Sequence, residues 1–206
     1  MSGVLIAFEI VLLLPLFIGT WRISLLGLSC QGFLMAWIAF HHGLHLSLDS
    51  AVELVDLVVL RAIAGPALLY AVLLRQNAPR RNDVLAPNLL SWAMALALVL
   101  VAFRVADVLV TTEGDAQTWV GVAASALLLG LLVLGTRTGV FSQMVGALRI
   151  ENAIALFELA DAHHSSVGVR MGQTAVYLAS IALFRWYLVH LAGEPEAPAS
   201  PHPPAL

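Results

Sequence analysis

Residues 140–160 read Val140-Phe141-Ser142-Gln143-Met144-Val145-Gly146-Ala147-Leu148-Arg149-Ile150-Glu151-Asn152-Ala153-Ile154-Ala155-Leu156-Phe157-Glu158-Leu159-Ala160. The stretch has the length of helix needed to cross about 30 Å of hydrocarbon, roughly 20 residues. Yet it places an arginine, two glutamates and an asparagine among apolar neighbours. A charge at mid-helix costs about 2.5–3.5 kcal/mol on insertion, so it must face a bundle interior or water. Two conclusions follow: the fold is a membrane helix bundle, and its functional information lies in charges within the spans.

The rest of the chain agrees. Of 206 residues, 60% are apolar and 11% charged, against roughly 25% charged in an average soluble domain, and the mean hydropathy is +0.91. Seven segments are long and apolar enough to span: Val4 to Thr20, Ser24 to Phe40, Ala51 to Leu74, Pro87 to Val110, Thr118 to Gly135, Val140 to Ala160 and Val169 to Leu191. The expected fold is therefore all-α, a polytopic bundle of about seven transmembrane helices over residues 1–193. A count of six would follow if the second segment were re-entrant. Residues 194–206, with five prolines in thirteen, read as a disordered tail. Met1-Ser2-Gly3 lacks the positive region of a signal peptide, so the first span reads as retained. A net charge of −3 gives no reason to expect a nucleic-acid partner. Cys30 is the one cysteine, read as a buried free thiol.

Orientation follows from arginine, the sole basic residue type among ten Lys-plus-Arg positions. With the N-terminus outside, Arg22, Arg75, Arg80, Arg81 and Arg137 fall in inner loops. The outer loops then hold His41-His42-Gly43-Leu44-His45 with Asp49, Glu113-Gly114-Asp115, and Asp161-Ala162-His163-His164, with Arg170 near an outer end. This is a positive-inside asymmetry. A repeat is also visible: the first span ends in Gly19-Thr20-Trp21-Arg22 and the fifth in Gly135-Thr136-Arg137, each followed at once by another span. Helices one to three and five to seven would then form a parallel repeat, connected by the fourth.

The ionisable residues within the spans are Glu9, Glu53, Asp56, Arg61, Arg104, Asp107, Arg149, Glu151, Glu158 and Arg185. Glu151 lies near the midplane of the sixth span. Glu158 returns to the same face about 10.5 Å further out, with Asn152 beside that face. Carboxylates in line on one face suit proton or cation relay; the plainer reading is a glutamate that hydrogen-bonds a neighbouring helix. Arg149 points to a different face and would pair with another helix. Glu53 and Asp56 share a face of the third span, and Arg61 precedes Pro66, a helix-kinking residue of the sort found around ion paths; a charge cluster that locks helices together is the alternative. Arg104 and Asp107, three apart, read as a local ion pair, and Arg185 beside Trp186 as an interfacial anchor. His41 and His45 have a spacing compatible with a metal or haem, but Gly43 and Leu44 suggest a loop, and no metal or cofactor site is assigned. No catalytic constellation is visible, so the chain is not expected to act as an enzyme alone.

Several of these stretches carry a resemblance. Gly135 through Leu191 resembles the K subunit of respiratory complex I, in which a mid-membrane helix carries a glutamate followed by Asn or a small residue. In length and helix order the chain up to Leu191 resembles the hydrogenase-4 component E family. The matching pieces are Trp21-Arg22-Ile23-Ser24, Cys30-Gln31-Gly32, Arg61 with Pro66, and Gly146-Ala147-Leu148-Arg149-Ile150-Glu151-Asn152. The resemblance implies an accessory subunit of an ion-translocating, complex I-like hydrogenase or formate hydrogenlyase in a bacterial or archaeal cytoplasmic (inner) membrane. Its partners would be antiporter-like membrane subunits and a hydrogenase or formate-oxidising module, and Glu151 would be the family's pathway glutamate. The last helix departs from the family: Arg170-Met171-Gly172-Gln173-Thr174-Ala175-Val176-Tyr177 contains no acid, so a two-carboxylate relay between helices six and seven is missing. Two other readings stay open, a purely structural connector between antiporter-like subunits and the redox arm, and an independent small-solute transporter.

Overall fold

In hydrocarbon every backbone N–H and C=O must be satisfied within the chain, so apolar spans form helices. The computed structural model describes residues 2–17, 21–41, 48–75, 89–110, 115–136, 139–160 and 167–190. Over these it is a seven-helix bundle: α1 Ser2–Phe17, α2 Trp21–His41, α3 over 48–75, α4 Leu89–Leu109, α5 Asp115–Thr136, α6 Val140–Ala160 and α7 Val167–His190. Five helices, α2 to α6, are long and apolar enough to cross a membrane. The chain is a multi-pass membrane protein. α1, at 16 residues, reaches about 24 Å; α7 has the length, 24 residues, but carries Arg170, Gln173, Thr174 and Arg185. α2 is one unbroken helix of 21 residues, which removes the re-entrant alternative. The tail from 194 lies outside the described residues.

Small residues set the tight crossings, as they do where no hydrophobic effect drives helices together in lipid. On α4 the buried positions are Ser91, Ala95, Ala102 and Ala106, a small-residue stripe laid on α5, where a Cβ on Gly121 would lie 2.7 Å from the Phe103 ring. On α5 a Cβ at Gly130 would lie 2.7 Å from the Ile150 side chain of α6.

α1 packs on α5, α2 on α6 and α3 on α7. Four polar ties join these pairs, Glu9 to Ser125, Gln31 to Asn152, Glu53 to Arg170 and Asp56 to Thr174. The last two ties advance together along α3 and α7, so those helices run parallel.

The buried apolar residues fall into two cores. One gathers Phe8, Met35, Leu57, Ala126 and Leu156; the other gathers Leu28, Leu69, Met144, Leu148 and Ile181. Between them, at mid-helix on α2, α3 and α6, lie Gln31, Arg61, Arg149 and Asn152, all buried. This polar layer holds the candidate site.

Candidate functional site: a buried arginine node and its acidic approach

α3 is not an α-helix throughout. Leu48–Leu54 and Gly65–Arg75 are α-helical, but Val55–Ala64 between them is a π-helix. At its end the Gly65 N–H donates to the Leu60 carbonyl, five residues back, and Pro66 has no N–H to return the chain to α spacing there. The π segment decides which charges meet. In an α-helix, residues five apart sit about 140° around the axis from one another; with i to i+5 bonding they stack one turn above the other. Asp56 and Arg61 thereby face each other, and Arg61 Nε donates to Asp56 Oδ2 at 2.8 Å.

Arg61 is fully buried at 0% exposure. Its Nη1 donates across to α6, to the Glu151 carbonyl oxygen at 3.1 Å and to Asn152 Oδ1 at 3.2 Å. Asn152 Nδ2 in turn donates to Gln31 Oε1 on α2 at 3.1 Å. The guanidinium lies over the Tyr177 ring of α7, 4.6 Å from its centroid, a cation–π geometry. One side chain therefore ties α3 to α6 and α7, and through Asn152 to α2. Its Nη2 and the Tyr177 hydroxyl are buried without a hydrogen-bond partner among the described residues. The hydroxyl rests on Gly65, where a Cβ would collide with it.

A chain of acids leads to this node. Thr174 Oγ1 donates to Asp56 Oδ1 at 2.9 Å, so both carboxylate oxygens are held. One turn earlier on each helix, Arg170 Nη1 donates to Glu53 Oε2 at 2.6 Å, and Arg170 Nε lies 3.6 Å from Glu158 Oε1. Glu53, Asp56, Glu158, Arg170, Gln173 and Thr174 line one cavity of about 30 Å³ between α3, α6 and α7, room for about one or two waters. Three carboxylates from two helices thus converge on it.

Glu151 sits differently. Its backbone carbonyl joins the node, but its half-buried carboxylate makes no hydrogen bond or ion pair among the described residues; Arg61 is the opposite charge that faces it. The residue stands at the middle of α6, so this carboxylate reaches the rim of the bundle near the bilayer midplane.

The expected residues Glu53, Asp56, Arg61, Asn152 and Glu158 come together, and Glu151 borders them. The acids beside Glu158 in the cavity are Glu53 and Asp56 of α3, not Glu151 of its own helix. Arg149 is buried and partnered. Two expectations need correction. Arg104 and Asp107 do not pair: both are exposed on α4, and the Asp107 carboxylate takes the side-chain N–H of Gln117 at the start of α5. The carboxylate is taken by an amide on the next helix instead. Cys30 is exposed, on the outward face of α2 with Leu26, Phe33 and Trp37; an apolar run in a membrane helix has a lipid side as well as a core side.

Sequence reasoning missed Gln31, Arg170, Thr174 and Tyr177 as members. A polar residue at mid-span was the available signal for Gln31 and Tyr177. Glu9 forms a separate pair, its Oε2 accepting from Ser125 Oγ at 2.6 Å, with Oε1 buried and without a hydrogen-bond partner among the described residues. His45, His163 and His164 lie outside the described residues. Among those described, no three His, Cys, Asp or Glu side chains are grouped to hold a metal. Compared with family models, curated proteins and solved structures, the chain matches none.

Proposed function

We propose that this chain is an accessory membrane subunit of an ion-translocating redox assembly of the complex I-like hydrogenase or formate hydrogenlyase kind, and that Glu151 is its point of exchange with a neighbouring subunit. The observation that carries the reading is the position of that carboxylate: at mid-helix, half-buried, faced by Arg61 and held by no hydrogen bond or ion pair among the described residues. A charge left against acyl chains would cost several kcal/mol, so an adjoining membrane subunit covers it. Antiporter-like subunits with polar axes of their own are such neighbours.

The acids missing from α7 are supplied by α3. Ions or protons enter at the Glu53–Glu158–Arg170 cavity, pass to Asp56, and reach Glu151 past Arg61. Arginine keeps its proton in proteins, so Arg61 is a fixed charge that tunes the acids on either side and passes no proton itself. In this reading the N-terminus and the cavity face outside, and the bilayer is a bacterial or archaeal cytoplasmic membrane. Arg22 and Arg75, on inner ends, support it.

The test is Glu151→Gln in the assembled complex. Ion movement per electron pair should fall, with Glu151→Asp retaining more of it. Wild-type translocation by Glu151→Gln at equal assembly refutes the exchange role. A second reading, a connector that fastens partner subunits, draws on the bonding of Arg61 to α6 and α7 and, through Asn152, to α2. In that case deletion dissociates the complex, while Glu151→Gln and Asp56→Asn leave turnover and pumping intact. Purification as a lone stable protein in mild detergent would favour the transporter reading over both.

A further inference from the structure

α2 and α3 touch backbone to backbone at one point. A Cβ on Gly32 would lie 2.6 Å from the Ala62 nitrogen and 2.7 Å from its Cα. On one side of this contact a groove of about 420 Å³ opens between the helices, walled by Arg22, Leu26 and Ser29 of α2 and by Ile63, Ala67 and Tyr70 of α3. The walls are apolar except at Arg22, which is exposed, at Ser29 and at the Tyr70 hydroxyl. Neither Arg22 nor Tyr70 has a hydrogen-bond or ion-pair partner among the described residues.

Depth identifies the occupant. Gly32 is near the middle of α2, and the ten residues from it back to Arg22 rise about 15 Å. That is half of the roughly 30 Å hydrocarbon thickness. The groove therefore runs from the bilayer midplane to headgroup level in one leaflet, the course of a lipid tail. Arginine at the mouth offers two N–H groups to a phosphate, and a tyrosine hydroxyl at the membrane interface is suitably placed to donate.

We propose that this groove is a binding site for one anionic phospholipid, with an acyl chain in the wedge between α2 and α3 and its phosphodiester on Arg22 and Tyr70. The site is independent of the ion path, which lies on the other side of Arg61. An anionic headgroup is favoured over a zwitterionic one because no acid among the described residues lines the groove with Arg22, whereas the choline or ethanolamine of a zwitterionic lipid would compete for the same phosphate.

The experiment is native mass spectrometry of the detergent-purified protein in equal mixtures of phosphatidylglycerol and phosphatidylcholine. The wild type should retain phosphatidylglycerol preferentially. Arg22→Gln should reduce that preference about fivefold, the worth of one basic residue near an anionic surface. Ala67→Trp fills the wedge and should lower retention of both lipids; Leu26→Trp, at a position 61% exposed, does the same should Ala67→Trp fail to fold. Wild-type phosphatidylglycerol retention in both Arg22→Gln and the wedge-filling variant overturns the proposal. A polypeptide captured by a photoreactive side chain at Leu26, in place of lipid, overturns it as well.

Discussion

Replacing Arg61 with methionine tests the node most directly. The change removes the ion pair with Asp56, two donations to α6 and the stack on Tyr177, while the Asp56 carboxylate stays, held only by Thr174. Interhelical hydrogen bonds in membranes average about 0.6 kcal/mol each, so the two donations account for only about 1 kcal/mol. The larger cost is the orphaned carboxylate: removing one partner of a buried pair costs about 3–5 kcal/mol. Arg61→Met should therefore lose about 3–5 kcal/mol, more than a hundredfold in the folding equilibrium. Removing both charges together should be far cheaper, because an apolar or neutral pair of similar volume often matches a buried ion pair. The assay is reversible unfolding in mixed micelles at increasing dodecyl sulfate, followed by circular dichroism, for Arg61→Met, Asp56→Asn and the double variant. A loss under about 1 kcal/mol for Arg61→Met, or a double variant as costly as the two single losses summed, would refute the assignment of Arg61 as a charge-compensated node.

Three further outcomes follow from the same contacts. Gly65→Ala drives a Cβ into the Tyr177 hydroxyl and should cost about 1–3 kcal/mol by overpacking; adding Tyr177→Phe, which deletes the obstructing oxygen, should recover most of that in the same titration. Gly32→Ala meets backbone atoms of Ala62, which cannot rotate away, so it should destabilise by a similar amount with no single-residue rescue on α3. Arg104→Gln, on an exposed position of α4, should stay within about 0.5 kcal/mol of wild type, whereas a local ion pair with Asp107 would make Asp107→Asn and Arg104→Gln non-additive in a double-mutant cycle.

Much of the architecture is written one-dimensionally. Hydrocarbon thickness sets span length, and backbone hydrogen bonding without water forces those spans into helices; α6 begins and ends where its apolar run does, Val140–Ala160.

Which charges meet is another matter. Helical periodicity put Asp56 and Arg61 on different faces, and only the switch to π bonding in Val55–Ala64 aligns them. The same periodicity paired Arg104 with Asp107, although the Asp107 carboxylate accepts from an amide on another helix. Arg170, Thr174 and Tyr177 drew no attention as polar residues in an acid-free helix, yet they complete the bonds that α3 begins. Hydropathy is a property of each segment alone, so the sequence determines that these helices exist and that their charges must turn inward. Pairing is a property of two faces brought together, so the partner of each charge is decided by crossing points at small residues such as Gly32 and Gly65, and those exist only in the packed bundle.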